Sequence, residues 1–182
     1  MFQMNLIEQS KKNDRKAQLK LYNKYCDGMF GVAMRFLKNT EDAEDVTQEA
    51  FIKAFGKMHQ YKGEVTFGAW LKKIVIHKCI DFLKTKKERK LNLDETYMHI
   101  PDNDNDWTVA DDTLTVEAIK EAIAQLPEKY RYVVMLYLIE GYDHSEISEI
   151  VNISETASRT QLMRGKHKLK ELLKYKKNGT GH

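Results

Sequence analysis

Residues 142–173 read YDHSEISEIVNISETASRTQLMRGKHKLKELL, and the stretch resolves into two helices joined by a tight turn. The first helix is expected over His144–Val151, with Ile147 and Ile150 inward. Asn152 and Ile153 make the turn; asparagine tolerates the left-handed backbone found there. Ser154 stands where an N-cap belongs, its hydroxyl able to accept from the open amides of the next turn. The second helix runs on from Glu155, with Leu162, Leu169 and Leu173 recurring at helical spacing on its inner side. Its other sides carry Thr156, Arg159, Thr160, Met163, Arg164 and His167. A short helix, a tight turn and a longer helix with polar and basic residues near its start is the pattern of a helix-turn-helix. The major groove of duplex DNA admits one helix. The second helix would insert by its N-terminal end, with Arg159 and Arg164 offering base or phosphate contacts. An ordinary helical hairpin with a solvated basic face carries the same pattern, and this stretch alone leaves both readings open.

The chain of 182 residues suffices for one large or two small domains. Its formal charge of +3 says little about partners; the distribution says more. Residues 91–119 hold eight acids from Asp94 to Glu117 and no Lys or Arg, whereas residues 156–177 are basic except for Glu171, and a second basic run spans 84–90. Two basic regions separated by an acidic one suggest two nucleic-acid-facing modules and a spacer. Cys26 and Cys79 stand far apart in apolar settings and are expected to be buried free thiols, which suits a reducing cytoplasm. The histidines form no cluster with zinc-ligand spacing, and no cofactor or metal is expected. With no apolar run of the roughly 18 residues a membrane span needs, a cytoplasmic protein is expected. Only two prolines among long helix-period stretches point to an all-α fold.

Taken in order, residues 6–10 read as a short helix. Asp14 can cap the next helix, which Gly28 is expected to separate from an apolar helix over 29–37. Residues 40–55, TEDAEDVTQEAFIKAF, carry Thr40 as a candidate cap and acids suited to the helix dipole. At about 100° per residue, Ala43, Val46, Ala50 and Ala54 share a face widened by Phe51. Asp45, Gln48, Glu49 and Ile52 lie opposite. Single exposed apolar residues are common, yet an isoleucine among acids also describes a docking face that awaits a basic partner. Residues 66–85 form a helix whose buried side is expected to hold Leu71, Ile74, Val75, Cys79, Phe82 and Leu83. Thr66, Trp70, Lys73, His77 and Lys84 fall on one stripe. Trp70 alone is better read as core, but the whole stripe joined to the basic run 84–90 suits unpaired nucleic acid, the ring stacking on a base while lysines hold phosphates. Residues 91–114 are polar, acidic and interrupted by Pro101, as in a flexible linker. Thr115 then caps a helix with Val116, Ile119, Ala122, Ile123 and Leu126 inward, and residues from Pro127 open another that Gly141 ends.

The order of these segments, DAEDVTQEAFIKAF, TFGAWLKKIVIHKCIDFLK, an acidic linker, LPEKYRYVVMLYLIEGY and then the helix-turn-helix, resembles the sigma-70 family of RNA polymerase sigma factors, in its small extracytoplasmic-function group. The resemblance covers roughly residues 5–88 and 113–174, and the ordered set is far more specific than any one motif. It implies an all-α fold of two small helical domains on a flexible acidic linker. Residues 1–88 would dock on core polymerase and open the minus-10 element, residues 89–112 would be the linker, and residues 113–178 would read the minus-35 element. Residues 45–58 resemble the segment that docks on the clamp helices of the largest subunit, residues 56–81 the minus-10 reader, and residues 154–167, from Ser154 to His167, the minus-35 reader. The implied partners are core polymerase, at its clamp helices and flap, and promoter DNA, with an anti-sigma factor by analogy. Four positions depart from the family pattern. His77 replaces a common Asn, Asn152 a usual Gly, Gln161 a common Arg, and Gly165 a common Ala. The first puts the preferred base in question; the last two are expected to weaken phosphate contacts and helix stability.

The competing reading is a stand-alone helix-turn-helix regulator, which leaves Ile52 and the Trp70 stripe without a role. An enzyme is disfavoured because the chain offers no nucleophile–base pair or metal constellation.

Overall fold

The computed structural model describes residues 2–90 and 115–179, with side chains over 5–86 and 115–174. Every regular element among them is helical, and the chain divides into two compact units between residues 95 and 96. The expected linker lies outside the described residues, apart from its first two positions, which continue a helix.

In the first unit, α1 (Phe2–Lys11) leads through a left-handed Asn13 to α2 (Arg15–Leu37). Asp14 caps α2 by accepting from the Lys16 and Ala17 amides at 2.8 and 3.2 Å. Contrary to the sequence expectation, Gly28 does not interrupt α2. Glycine inside a helix costs about 1 kcal/mol against alanine, and burial of Leu21 before it and Met29, Val32, Ala33 and Phe36 after it outweighs that. Lys38, in the left-handed region, ends α2. The cap of α3 (Thr40–Gly56) is Asn39, not Thr40: its side chain accepts from the Asp42 amide at 2.8 Å, consistent with the stronger capping preference of Asn.

Ala43, Ala50 and Ala54 are fully buried, so α3 approaches its neighbours closely. It packs on α2 and on α4 (Phe67–Lys90), which also packs on α2. Contacts on two sides widen the buried stripe of α4. Ile76 and Ile80 are fully buried, while Ile74, Phe82 and Leu83, expected inside, are half-buried. The thiols also differ. Burial pushes the Cys79 thiol up to about 12, whereas Cys26 is only half-buried, its Sγ 3.4 Å from Asp27 Oδ1.

The second unit begins with α5 (Val116–Gln125), capped by Thr115, whose Oγ1 accepts from the Ala118 amide. Ala122, Ile123 and Leu126 are buried as expected, whereas Val116, in the first turn, is exposed and Ile119 half-buried. Next, α6 (Glu128–Val134) widens into a π-turn over Met135–Ile139 before Gly141, at φ +76°, ends the segment. The widened turn leaves Tyr137, Leu138 and Ile139 exposed.

A capping box opens α7 (His144–Val151): Asp143 accepts from the Glu146 amide at 2.8 Å and Glu146 accepts from the Asp143 amide at 3.1 Å. Asn152 takes φ 60°, ψ 56°, the conformation that glycine would otherwise supply. Ser154 then caps α8 (Glu155–Gly179), its Oγ accepting from the Ala157 amide at 3.1 Å. Leu162, Leu169 and Leu173 are buried as predicted. Gly165 has a reason that sequence did not show. A Cβ there would lie 2.6 Å from Val134 Cγ2 and 3.3 Å from Tyr130 Cβ, so α8 crosses α6 where an alanine would not fit without a shift.

Candidate functional site

Three surfaces carry the residues singled out in the sequence, and α3 presents the first. Its core face is buried, and Asp45, Gln48, Glu49 and Ile52 are all exposed, Ile52 at 72%. The acids are not all waiting for an external base. Glu49 Oε2 holds Lys78 Nζ at 2.8 Å and Asp42 Oδ2 holds Lys86 Nζ at 2.7 Å, both across the α3–α4 boundary. Surface pairs of this kind contribute about 0–1 kcal/mol, so a partner can displace them.

The second surface is the α4 stripe. The helix register sets Trp70, Lys73, His77 and Lys84 along one side; Lys84 is exposed, and Trp70, Lys73 and His77 are half-buried. Thr66 is exposed, but its Oγ1 is engaged as the cap of α4, accepting from the Ala69 amide at 3.2 Å. Trp70 is neither core nor free: its ring packs against Tyr61 and Phe67 at centroid distances of 5.4 and 5.7 Å, leaving one part open. Sequence reasoning overlooked Tyr61. Its hydroxyl donates to the Val65 carbonyl at 2.7 Å, closing the loop before α4 and bracing the Trp70 ring. A half-open aromatic on a rigid bed beside cationic side chains can stack on an unpaired base.

The third surface is the start of α8. Ser154, Thr156, Arg159, Met163 and His167 are exposed, and Thr160 and Arg164 half-buried. Arg159 Nη2 pairs with Glu155 Oε2 at 3.2 Å, one turn back on the same helix. The Thr160 hydroxyl donates to the Thr156 carbonyl at 3.0 Å, and His167 Nδ1 lies 3.9 Å from Glu171 Oε1.

Behind this face lies a cluster that no local signal reveals. His144 Nδ1 is 2.9 Å from the hydroxyl of fully buried Ser158. The imidazole stacks on Tyr137 at 4.9 Å and 26°, and Lys166 Nζ lies over the same tyrosine at 5.5 Å. These residues come from the π-turn, α7 and α8, so only the tertiary fold brings them together. Burial, and the Arg159 guanidinium with the Lys166 ammonium, hold the imidazole below its ordinary 6.5, against the opposing carboxylates of Glu155 and Asp143.

Among the described residues, no helix is long and apolar enough to cross a membrane.

Comparison with known proteins agrees with this geometry unit by unit. Residues 21–89 match the family model of sigma-70 region 2, and residues 116–169 that of sigma-70 region 4. The chain is 31% identical to the ECF RNA polymerase sigma factor SigW of Bacillus subtilis (strain 168), over 92% of this chain and 95% of that protein. It is 26% identical to the RNA polymerase sigma-H factor of Pseudomonas aeruginosa, over 92% of each. In fold it is similar to the sigma factor RpoE solved in complex with the anti-sigma factor NepR from Bartonella quintana, with a TM-score of 0.58 at 17% identity, over 85% of this chain and 95% of that one. Two region models in the family's order, and a relative matched over nearly its whole length, show that the chain belongs to the sigma-70 family of RNA polymerase sigma factors, in its extracytoplasmic-function group.

Proposed function

We infer that this sigma factor, which directs RNA polymerase to promoters, divides the task among its three surfaces. Asp45, Gln48, Glu49 and Ile52 dock on core polymerase at the clamp helices. Trp70, Lys73, His77 and Lys84, with Thr66 at the helix start, hold the opened minus-10 strand. Ser154, Thr156, Arg159, Thr160, Met163, Arg164 and His167 face the minus-35 duplex. Residues 1–88 and 113–178 are the two working domains, and residues 89–112 the tether. The protein is a binding subunit, the chemistry of synthesis belongs to polymerase, and its place of work is the cytoplasm. Because the structurally similar RpoE is solved with an anti-sigma factor, an inhibitor of that kind is a candidate partner.

One observation carries this reading above a stand-alone regulator: Ile52 stands 72% exposed among acids, in a unit with no part in a helix-turn-helix. An operator-binding protein has no use for that face; a polymerase subunit does. The experiment is run-off transcription on genomic fragments beside a gel shift with protein alone. Specific transcripts only when protein and core are both present, with little shift by the protein alone, are expected. Tight sequence-specific binding without polymerase, and no gain in initiation on adding core, would return the case to the stand-alone regulator.

A further inference from the structure

We propose that His144 is a positioning residue for promoter reading: wedged between Tyr137 and the buried Ser158 hydroxyl, it fixes the start of α8 and thereby the angle at which Arg159 meets the minus-35 duplex. The inference rests on the reading that α8 faces that duplex.

The first turns of α8 have few tertiary anchors. Ser158 is the fully buried residue of residues 154–161; Ala157, Thr160 and Gln161 are half-buried and the others exposed. Leu162, the first buried leucine, comes a full turn later. The base-reading end is therefore held chiefly through the turn at Asn152 and through Ser158. The partner of Ser158 is His144 Nδ1 at 2.9 Å, and a buried hydroxyl that loses its partner loses much of the reason to stay. The imidazole is itself fixed, by its place at the N-terminus of α7 and by the Tyr137 stack. One ring thus ties the π-turn, the first helix and the reading helix at the residue preceding Arg159. Bidentate base recognition is sensitive to small rotations of the donor, so loosening this tie should blur discrimination before it abolishes binding.

The link is built for a neutral ring. A neutral imidazole offers one donor and one acceptor nitrogen, which matches a hydroxyl that can do either. The charged groups that face it are Arg159 and Lys166 from α8, which oppose a second cation, and Glu155 from α8 and Asp143 beside it, which favour one. Tyr137 from the π-turn is uncharged at neutral pH. Since the folded pKa is depressed, the stabilising effect of the neutral ring is present above the ordinary 6.5 and is lost as pH falls through the lower folded value.

The test uses the full chain with core polymerase on a promoter found by run-off selection, and scores transcription across all single-base variants of the minus-35 element. His144→Ala should reduce the preference at the base opposite Arg159 by about tenfold, the size of one good base contact, while preferences within the minus-10 element stay. His144→Asn, whose amide can reach Ser158, should restore most of it. Wild-type preference should hold at neutral pH and decline as the pH is taken below the ordinary 6.5 of the ring, and the fall should be smaller in the Asn variant, which lacks this imidazole. Amide exchange over residues 155–160 should quicken in His144→Ala. If His144→Ala fails to fold, Ser158→Ala takes its place, with the wild-type pH profile as the second measurement. Full discrimination and unchanged exchange in a folded variant would overturn the proposal, as would a uniform loss over all minus-35 variants with a flat pH profile. Faster exchange in His144→Ala, together with no change in selectivity in Arg159→Ala, would uphold the positioning role and reject instead the pose of α8 on DNA.

Discussion

The face of α8 proposed to read the duplex and the face of α3 proposed to dock on polymerase are both exposed and charged, but they hold their charges differently. On α8 the partners are local. Arg159 pairs with Glu155 one turn back, Thr160 with the Thr156 carbonyl, and His167 with Glu171. On α3 the partners cross to another helix, Glu49 to Lys78 and Asp42 to Lys86. A local pair can exchange its partner for a phosphate or a base while the helix stays where it is. A cross-helix pair ties α3 to α4, the helix whose stripe is proposed to hold the opened strand, since Lys78 follows His77 of that stripe in sequence. The first unit thus joins its two proposed interfaces by ion pairs between helices, whereas Arg159, Thr160 and His167 of the second find these partners within α8.

The sharpest difference lies in what anchors each face, and it sets the largest expected effect. The proposed docking face has the exposed Ile52 as its apolar anchor, and an anchor buried at an interface centre contributes about 2 kcal/mol or more. Ile52→Asp should weaken binding to core by about thirtyfold in a titration with labelled core, with an unchanged melting temperature because the side chain is exposed. Wild-type affinity in the folded variant would remove α3 from the docking surface. The face of α8 is mostly polar, with the exposed Met163 as its large apolar side chain, and its contributions are spread over polar contacts. Arg159→Ala should cost about 1–3 kcal/mol at one minus-35 position if it reads a base. If it holds a phosphate, all sequences should weaken alike and the salt dependence should become shallower. No change in either quantity would show that the start of α8 does not face the duplex.

Helix packing within the two units differs as well, and two helical glycines test this. Gly28 in α2 faces open space, whereas Gly165 in α8 meets Val134 and Tyr130. Gly28→Ala should raise stability by about 0.5–1 kcal/mol, the helix-propensity gain. Gly165→Ala should lower it by about 1–3 kcal/mol, because overpacking outweighs that gain. Denaturant melts of both variants decide the sign, and a stabilised Gly165→Ala would mean that α8 does not rest against α6 as closely as the contact requires.

The same contrast explains what could be read from sequence. Ser154, Asn152 and the span of α7 were legible because caps and turns are local, set within a few residues of chain. Ile52 stood out for a similar reason, since helical periodicity alone puts it opposite Ala43, Val46 and Ala50. Features that depend on a second helix were not legible. Gly28 looks like a break until burial on both sides of it is known. Ile76 and Ile80 look no more buried than Ile74 until α4 is seen packed on two sides. Gly165 looks like a weak point until Val134 arrives against it. His144 and Ser158 lie 14 residues apart, and neither residue type nor spacing announces the pair.

The smallest expected effect concerns one of these ion pairs between helices. Glu49 has two possible uses, an internal pair with Lys78 at 2.8 Å and an external contact with polymerase, and single substitutions cannot separate them. The charge swap Glu49→Lys with Lys78→Glu can. It restores an ion pair of opposite polarity across α3 and α4, so the stability lost in either single variant, about 0.2–1 kcal/mol for an exposed pair, should return in a thermal melt. Docking should not return, because a lysine at 49 now repels a basic partner surface. Core affinity should stay below wild type by a few-fold, with the deficit growing as salt is lowered and the repulsion is less screened. If the swap restores core affinity along with stability, the contribution of Glu49 is internal, and the docking set shrinks to Asp45, Gln48 and Ile52. If the swapped protein regains stability and binds core as wild type but opens promoters poorly, Lys78 is itself needed at the opened strand, beside the stripe of α4.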